Sequence, residues 1–189
     1  MPRHNRHSPE QLRTLLLNAA DTILNEEGVS ALTARRVAAE IGYTVAGIYK
    51  VFPSMTALMQ ALNHATLAQL VEELSVHLEQ QPFKPHHVAE LGLAYWRFSQ
   101  QHAARWRLLF SPPPEHVPDD YRAAFAALDQ VFIQACLALD AKQGDAPGLA
   151  LSRALSGLLL HYEQVQPKPR HPVALDKLIR LTCLQFAKM

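Results

Sequence analysis

Cysteine is nearly absent from this chain: Cys136 and Cys183 are the only two in 189 residues. Neither lies in a Cys-x-x-Cys pair or a Cys/His metal spacing, which excludes a disulfide-stapled scaffold and a sequence-encoded zinc finger. Both fall inside apolar helical patterns and are expected as buried, reduced thiols of a cytoplasmic protein. No run of about 18 apolar residues is present, so no membrane span is expected, and the polar N-terminus does not read as a signal peptide. The formal net charge is only +1, so no bulk excess of positive charge marks a nucleic-acid partner. Ten histidines raise the question of metal binding. His86 and His87 are adjacent, His4, His7 and His116 sit in apparent loops, and no pair has the four-residue helical spacing of a zinc site. No metal and no cofactor are expected. Strand patterning is absent throughout.

What the sequence has is helix. Its apolar fraction of 49% supports a substantial core. Ser8-Pro9-Glu10-Gln11 reads as a capping box with proline in the first turn. Leu12, Leu15, Leu16, Ala19 and Ile23 then repeat at three and four residues, and Gly28 closes this first helix, expected in the left-handed conformation. Further helices are expected after Thr33 to Gly42, over Val45 to Val51, and from a Ser54 cap to about Gln80. Others follow over 86–101, 103–110, 119–140, 148–164 and 173–187. The predicted fold is all-α with about nine helices.

The stretch "EIGYTVAGIYKVFPS", Glu40 to Ser54, interrupts helix twice in a short span. Two short helices joined by a glycine turn make a helix-turn-helix. Val37, Ala38 and Ile41 are expected to face inward from its first helix, and Ile48 and Phe52 from its second. Gly42 permits the turn and Thr44 caps the second helix. A helix this short fits end-on into a major groove about 12 Å wide, but must be buttressed by its neighbours. Positive charge is concentrated locally: Arg3, Arg6 and Arg13 precede or accompany Glu10, and Arg35, Arg36 and Lys50 stand against Glu40 alone between Ala31 and Ser54. The arm "MPRHNRH" reads equally as a frayed tail or as an anchor on phosphates and the minor groove.

The residues Gly28 to Leu62, "GVSALTARRVAAEIGYTVAGIYKVFPSMTALMQAL", resemble the DNA-binding domain of the TetR family of bacterial transcription regulators. The Ile-Tyr pair, the phenylalanine and the serine fall at that family's spacing. "HAARWRLLF", His102 to Phe110, also looks like a segment common in the family. The resemblance implies a DNA-binding domain over residues 1–53 and a ligand-binding and dimerisation domain over 54–189. It implies that Thr44, Val45, Ala46, Gly47, Tyr49 and Lys50 face the groove, with Arg35 or Arg36 on a phosphate at the start of the preceding helix. Thr44, Tyr49 and Lys50 can donate to phosphates, whereas Val45 and Ala46 can only make apolar contact, as with a thymine methyl. Two departures from the family pattern are Met55, where lysine is usual, and Val51, where His or Tyr is common.

Beyond the first third of the chain the large apolar residues fit either core or pocket. The resemblance implies a pocket, for which Tyr95, Trp96, Trp106, Phe110, Phe132 and His161 are the candidates, with Tyr162 and Gln130 as further polar groups. Leu151, Leu155, Leu158, Leu159 and Tyr162 form one apolar stripe, with Gly157 permitting close helix approach. Leu178, Ile179 and Phe186 belong to another, and the two stripes are expected to make a homodimer interface. The expected function is a DNA-binding regulator, a homodimeric repressor released from a palindromic operator by a small, largely apolar ligand. The fourth helix is expected to be the only covalent lever between ligand and DNA. A DNA-binding dimer without a small-molecule ligand is the alternative. A helical enzyme using His161 and Glu163 is the remote one, since nothing pairs a nucleophile with a base; no catalytic residue is assigned.

Overall fold

The computed structural model describes residues 7–111, 119–164 and 175–187, and among these there are nine α-helices and no strand. Helix α1 (Pro9–Glu27) opens on the expected capping box: Gln11 N–H donates to Ser8 Oγ at 3.2 Å and Ser8 N–H donates to Gln11 Oε1 at 2.9 Å. Its closing Gly28 has φ 84° and ψ 177°. That is a positive-φ conformation essentially confined to glycine, but an extended one and not the left-handed helical one expected. Helices α2 (Ala34–Glu40), α3 (Val45–Tyr49) and α4 (Met55–Ser75) follow. Thr33, Thr44 and Ser54 cap them, each hydroxyl oxygen accepting a backbone N–H three residues on. The remaining helices are α5 (Pro85–Gln101), α6 (Ala103–Leu109), α7 (Asp119–Leu137), α8 (Ala146–Gln164) and α9 (Leu175–Phe186). No helix among the described residues is long and apolar enough to cross a membrane.

The chain forms two compact units. The first comprises the described residues of Met1–Thr66 and Ala103–His116. Its core joins Leu16, Ile23 and Leu24 of α1, Val37 and Ala38 of α2, Ile48, Phe52, Leu58 of α4, and Leu108 of α6. Burying each valine, leucine, isoleucine or phenylalanine among these contributes about 1.5–3 kcal/mol. That matters most for α3, which at five residues is too short to persist alone. Ile41 and Met55 are only partly buried against this core. Around it, the Arg13 guanidinium lies 4.7 Å from the centre of the Phe52 ring. Arg105 of α6 pairs with Asp21 of α1, and the Asn63 side chain donates to Leu108 O at 3.4 Å. Helix α6 thus folds as part of the unit that carries the helix-turn-helix.

The second unit comprises the described residues of Leu67–His102 and Val117–Met189. Within it α7 packs along α8, and α5 along α9. Two glycines set these separations. A methyl group at Gly148 would stand 2.6 Å from both Ile133 N and Phe132 O, and one at Gly92 would stand 2.5 Å from Cys183 Sγ. A polar chain runs through the unit: Ser152 Oγ donates to Asp129 Oδ1 at 2.7 Å, Arg153 donates to Asp129 Oδ2 at 2.5 Å, and the buried Tyr95 hydroxyl meets Ser156 Oγ at 3.0 Å.

Both thiols are free and buried, as expected. Burial pushes Cys136 up, and pushes Cys183 up to about 12. Since the thiolate is the reactive form, the native chain should resist iodoacetamide at pH 8 and take up two labels only after denaturation. Rapid labelling of either cysteine in the native chain, read by mass spectrometry, would contradict this packing.

Candidate nucleic-acid interface

The α2–α3 corner is built from backbone geometry outward. Helix α2 ends at Glu40, and Gly42 turns the chain at φ 68°, where a side chain would be strained. Tyr43 N–H donates back to Ala38 O at 2.9 Å. Thr44 Oγ1 accepts from Gly47 N–H at 3.2 Å, which leaves the hydroxyl proton of Thr44 free to donate outward.

Helix α3 is divided sharply. Ile48 is buried, as is Phe52 just beyond the helix. Thr44, Val45, Ala46, Tyr49 and Lys50 are exposed, Tyr49 by 46%. A solvated tyrosine on a five-residue helix is not part of the core. Gly47 is half-buried, and a methyl group there would meet Thr44 Oγ1 and the Tyr43 ring at an ordinary 3.5 Å.

The two arginines of α2 are unlike each other. Arg36 Nε donates to Glu27 Oε1 at 2.9 Å and its Nη1 to Glu40 Oε2 at 2.7 Å. These two side-chain bonds raise its pKa further. Arg36 therefore serves the fold and is more than a solvated charge. Arg35, exposed and without a partner among the described residues, is left as the cation in the first turn of α2. No spacing distinguishes neighbouring arginines; the two glutamates that hold Arg36 come from different helices.

The apolar candidates are divided between the two units. Trp106 and Phe110, with ring centres 4.7 Å apart, belong to the first unit. Tyr95 and Phe132, 5.6 Å apart and both fully buried, belong to the second, with half-buried Trp96 and exposed His161. Tyr162 is half-buried and Gln130 exposed. Among the residues expected at a dimer interface, Leu151, Leu155, Leu159 and Ile179 are covered by the chain's own core. Leu158, Tyr162 and Phe186 are half-buried, and Leu178 is exposed. Periodicity did not point to Leu181, whose exposure of 56% is higher than that of Leu178. Gly157 makes no close helix approach among the described residues, none of which lies within 4 Å of a methyl group there. Among the described residues no three His, Cys, Asp or Glu side chains converge as a metal site.

Residues 16–62 match the family model described as bacterial regulatory proteins, tetR family. No curated protein matches the chain in sequence. Solved structures do match its fold. A protein of unknown function from Rhodococcus sp. RHA1 is 20% identical at a TM-score of 0.72, covering 99% of this chain and 98% of its own. A tetR-family transcriptional regulator from Streptomyces coelicolor is 15% identical at a TM-score of 0.69, covering 96% and 81%. The multidrug binding protein EbrR, complexed with imidazole, is 16% identical at a TM-score of 0.63, covering 92% and 93%. By its residues 16–62 and by its architecture, this chain has the TetR-family transcriptional-regulator fold, with that family's N-terminal DNA-binding domain.

Proposed function

We propose that the chain is a homodimeric transcriptional regulator, a repressor that leaves a palindromic operator when a small, largely apolar ligand binds. The observation that carries the reading is α3 itself: its apolar residue Ile48 is buried, while Thr44, Val45, Ala46, Tyr49 and Lys50 stand free on the outside. Thr44, Tyr49 and Lys50 supply phosphate donors, Val45 and Ala46 supply apolar contact to base edges, and Arg35 adds a charge at the start of α2. On this reading residues 1–53 read DNA and residues 54–189 serve dimerisation and ligand binding. Two recognition helices in successive major grooves require a separation of roughly 34–36 Å or a multiple of it.

A partner surface is supported by α8 and α9. Leu178, Leu181, Thr182 and Gln185 share one side of α9 at helical spacing, with Leu178 and Leu181 exposed. On α8 the exposed side carries Ala150, Ala154 and Gly157, small residues that let a second helix approach. A ligand is supported by Trp96, whose Nε1 is buried without an acceptor among the described residues, as a donor awaiting a ligand oxygen would be. EbrR, a multidrug binding protein of similar fold, agrees with it. The fourth helix is not the single connection expected: the chain passes between its units inside α4, at Thr66–Leu67, again at His102–Ala103, where α5 meets α6, and a third time at His116–Val117, outside the described residues. A tenfold loss of operator affinity needs about 1.4 kcal/mol of coupling, and operator must weaken ligand binding by the same factor.

The test uses duplexes selected by the chain from a random pool. Tyr49→Ala and Lys50→Ala should each weaken binding with helical content unchanged, Lys50→Ala also lowering the salt slope by about one unit per half-site. Gly47→Ala is the sharper variant. The fold has room for the methyl group and alanine favours helix, so stability should hold or rise by up to about 1 kcal/mol. Binding should nevertheless fall by about tenfold or more if DNA approaches this backbone closely. Unchanged binding by all three variants would remove α3 from any DNA interface.

A further inference from the structure

Helix α3 leaves two large apolar side chains exposed, Val45 and Tyr49. They are four residues apart and so lie on one side of the helix, with Ala46 and Lys50, also four apart, beside them. Val45 is 36% exposed, and as a β-branched residue in a helix it has one strongly preferred rotamer. The side chains that read bases by paired hydrogen bonds are missing from its surroundings: from Thr44 to Lys50 the chain has no Arg, Asn, Gln, Asp or Glu. Lys50 stands at the far end of α3, as its C-cap. Thr44 offers a hydroxyl, which pairs with donors and acceptors alike. The Tyr43 hydroxyl, in the turn before, meets His7 Nδ1 at 2.7 Å. The first residues of a recognition helix are the ones that meet base edges. In α3 these are Val45 and Ala46, followed by Gly47, and none has a polar side chain.

We propose that α3 reads its half-site through the C5-methyl groups of pyrimidines, with Val45 and Ala46 selecting thymine, and that this contact accepts 5-methylcytosine in thymine's place. The proposal rests on the reading of α3 as the groove-facing helix and names what that helix recognises. In the major groove the thymine methyl is the one alkyl group that a base pair presents, beside hydrogen-bond donors and acceptors. An isopropyl group set against a donor or acceptor strips it of water and returns no hydrogen bond, which is unfavourable. Set against a methyl group, it removes apolar surface of both partners from water. Discrimination therefore has a repulsive part as well as an attractive one. The fixed rotamer of Val45 means that little side-chain freedom is lost on contact. Tyr49, Lys50 and Arg35 on phosphates would set the register and leave the choice of base to the two apolar side chains. 5-Methylcytosine carries its methyl group on the same ring carbon as thymine, so the group stands at the same place in the groove.

The experiment takes a duplex selected by the full chain from a random pool and replaces each thymine in turn by deoxyuridine, which lacks only the methyl group. Binding is followed by anisotropy for the native chain, Val45→Ala, Tyr49→Ala and Lys50→Ala, with circular dichroism to check the fold. Burying one methyl group is worth about fourfold in affinity, so deoxyuridine at a read position in both half-sites should weaken the native chain by about fifteenfold. At that position, with guanine opposite, 5-methyldeoxycytidine should bind better than deoxycytidine by the same factor. Val45→Ala changes an exposed position to a better helix former and so keeps the fold. It should lose most of the preference for thymine over uracil at one read position. A native chain indifferent to deoxyuridine at every position overturns the proposal. So does equal binding of the two cytosine duplexes, or a Val45→Ala variant that keeps the full thymine preference throughout. In each case a loss of binding with Lys50→Ala leaves the α3 reading standing. A native chain that selects no duplex, or binding unchanged by both Tyr49→Ala and Lys50→Ala, overturns that reading first.

Discussion

Gly148→Ala should lower the melting temperature by roughly 10 °C, although it adds a single methyl group and favours helix. Gly148 sits in the first turn of α8, where the α7 backbone passes so closely that the methyl group would stand 2.6 Å from Ile133 N and Phe132 O. Backbone cannot move aside by changing rotamer. The two helices must separate, and they form a main helix pair of the second unit. Overpacking of this kind costs about 3 kcal/mol, and a chain of this length shifts by about 2–4 °C per kcal/mol. The helix-propensity gain of alanine, at most about 1 kcal/mol, does not offset that. Gly157→Ala on the same helix is the control. Among the described residues nothing lies within 4 Å of the added methyl group, so its melting temperature should stay the same or rise slightly. Equal melting curves for the two variants, followed by circular dichroism, would mean that α7 and α8 do not meet at Gly148.

Leu181→Glu should convert the proposed dimer to monomers and weaken operator binding by about 10²–10⁴-fold, because each half-site must then be bound without the effective concentration that the partner supplies. The choice of residue matters. Leu181 is 56% exposed in the single chain, so a carboxylate there leaves the fold intact and is buried only if a partner covers it. Leu159→Glu, which the apolar stripe alone would suggest, places the carboxylate in the chain's own core, where Leu159 is 2% exposed, and should unfold the unit instead. Sedimentation of both variants, with circular dichroism alongside, separates the outcomes. A native chain that sediments as a monomer at micromolar concentration, or a Leu181→Glu variant that remains a dimer, would defeat the assignment of this surface.

Much of the fold was legible in the sequence because it is decided within a few residues. The Ser8 box, the Thr33, Thr44 and Ser54 caps and the turn at Gly42 are short-range backbone chemistry, and the structure has each of them. The inward residues Val37, Ala38, Ile48 and Phe52 followed from spacing and are buried. What only the tertiary structure decided is which surface each apolar or charged residue meets. Periodicity identifies an apolar side of α8, but the same stripe serves a neighbouring helix or a second copy. Only packing separates the covered Leu155 and Leu159 from the exposed Leu181 of α9. Arg35 and Arg36 are chemically identical, and differ only because Glu27 and Glu40 converge on Arg36. Trp106 and Phe110 look like companions of Tyr95 and Phe132, yet α6 folds with the helix-turn-helix unit, its Arg105 paired with Asp21 across 84 residues of chain. Local sequence sets helices, caps and turns because their hydrogen bonds close within three or four residues; partners distant along the chain are chosen by the packing of whole helices.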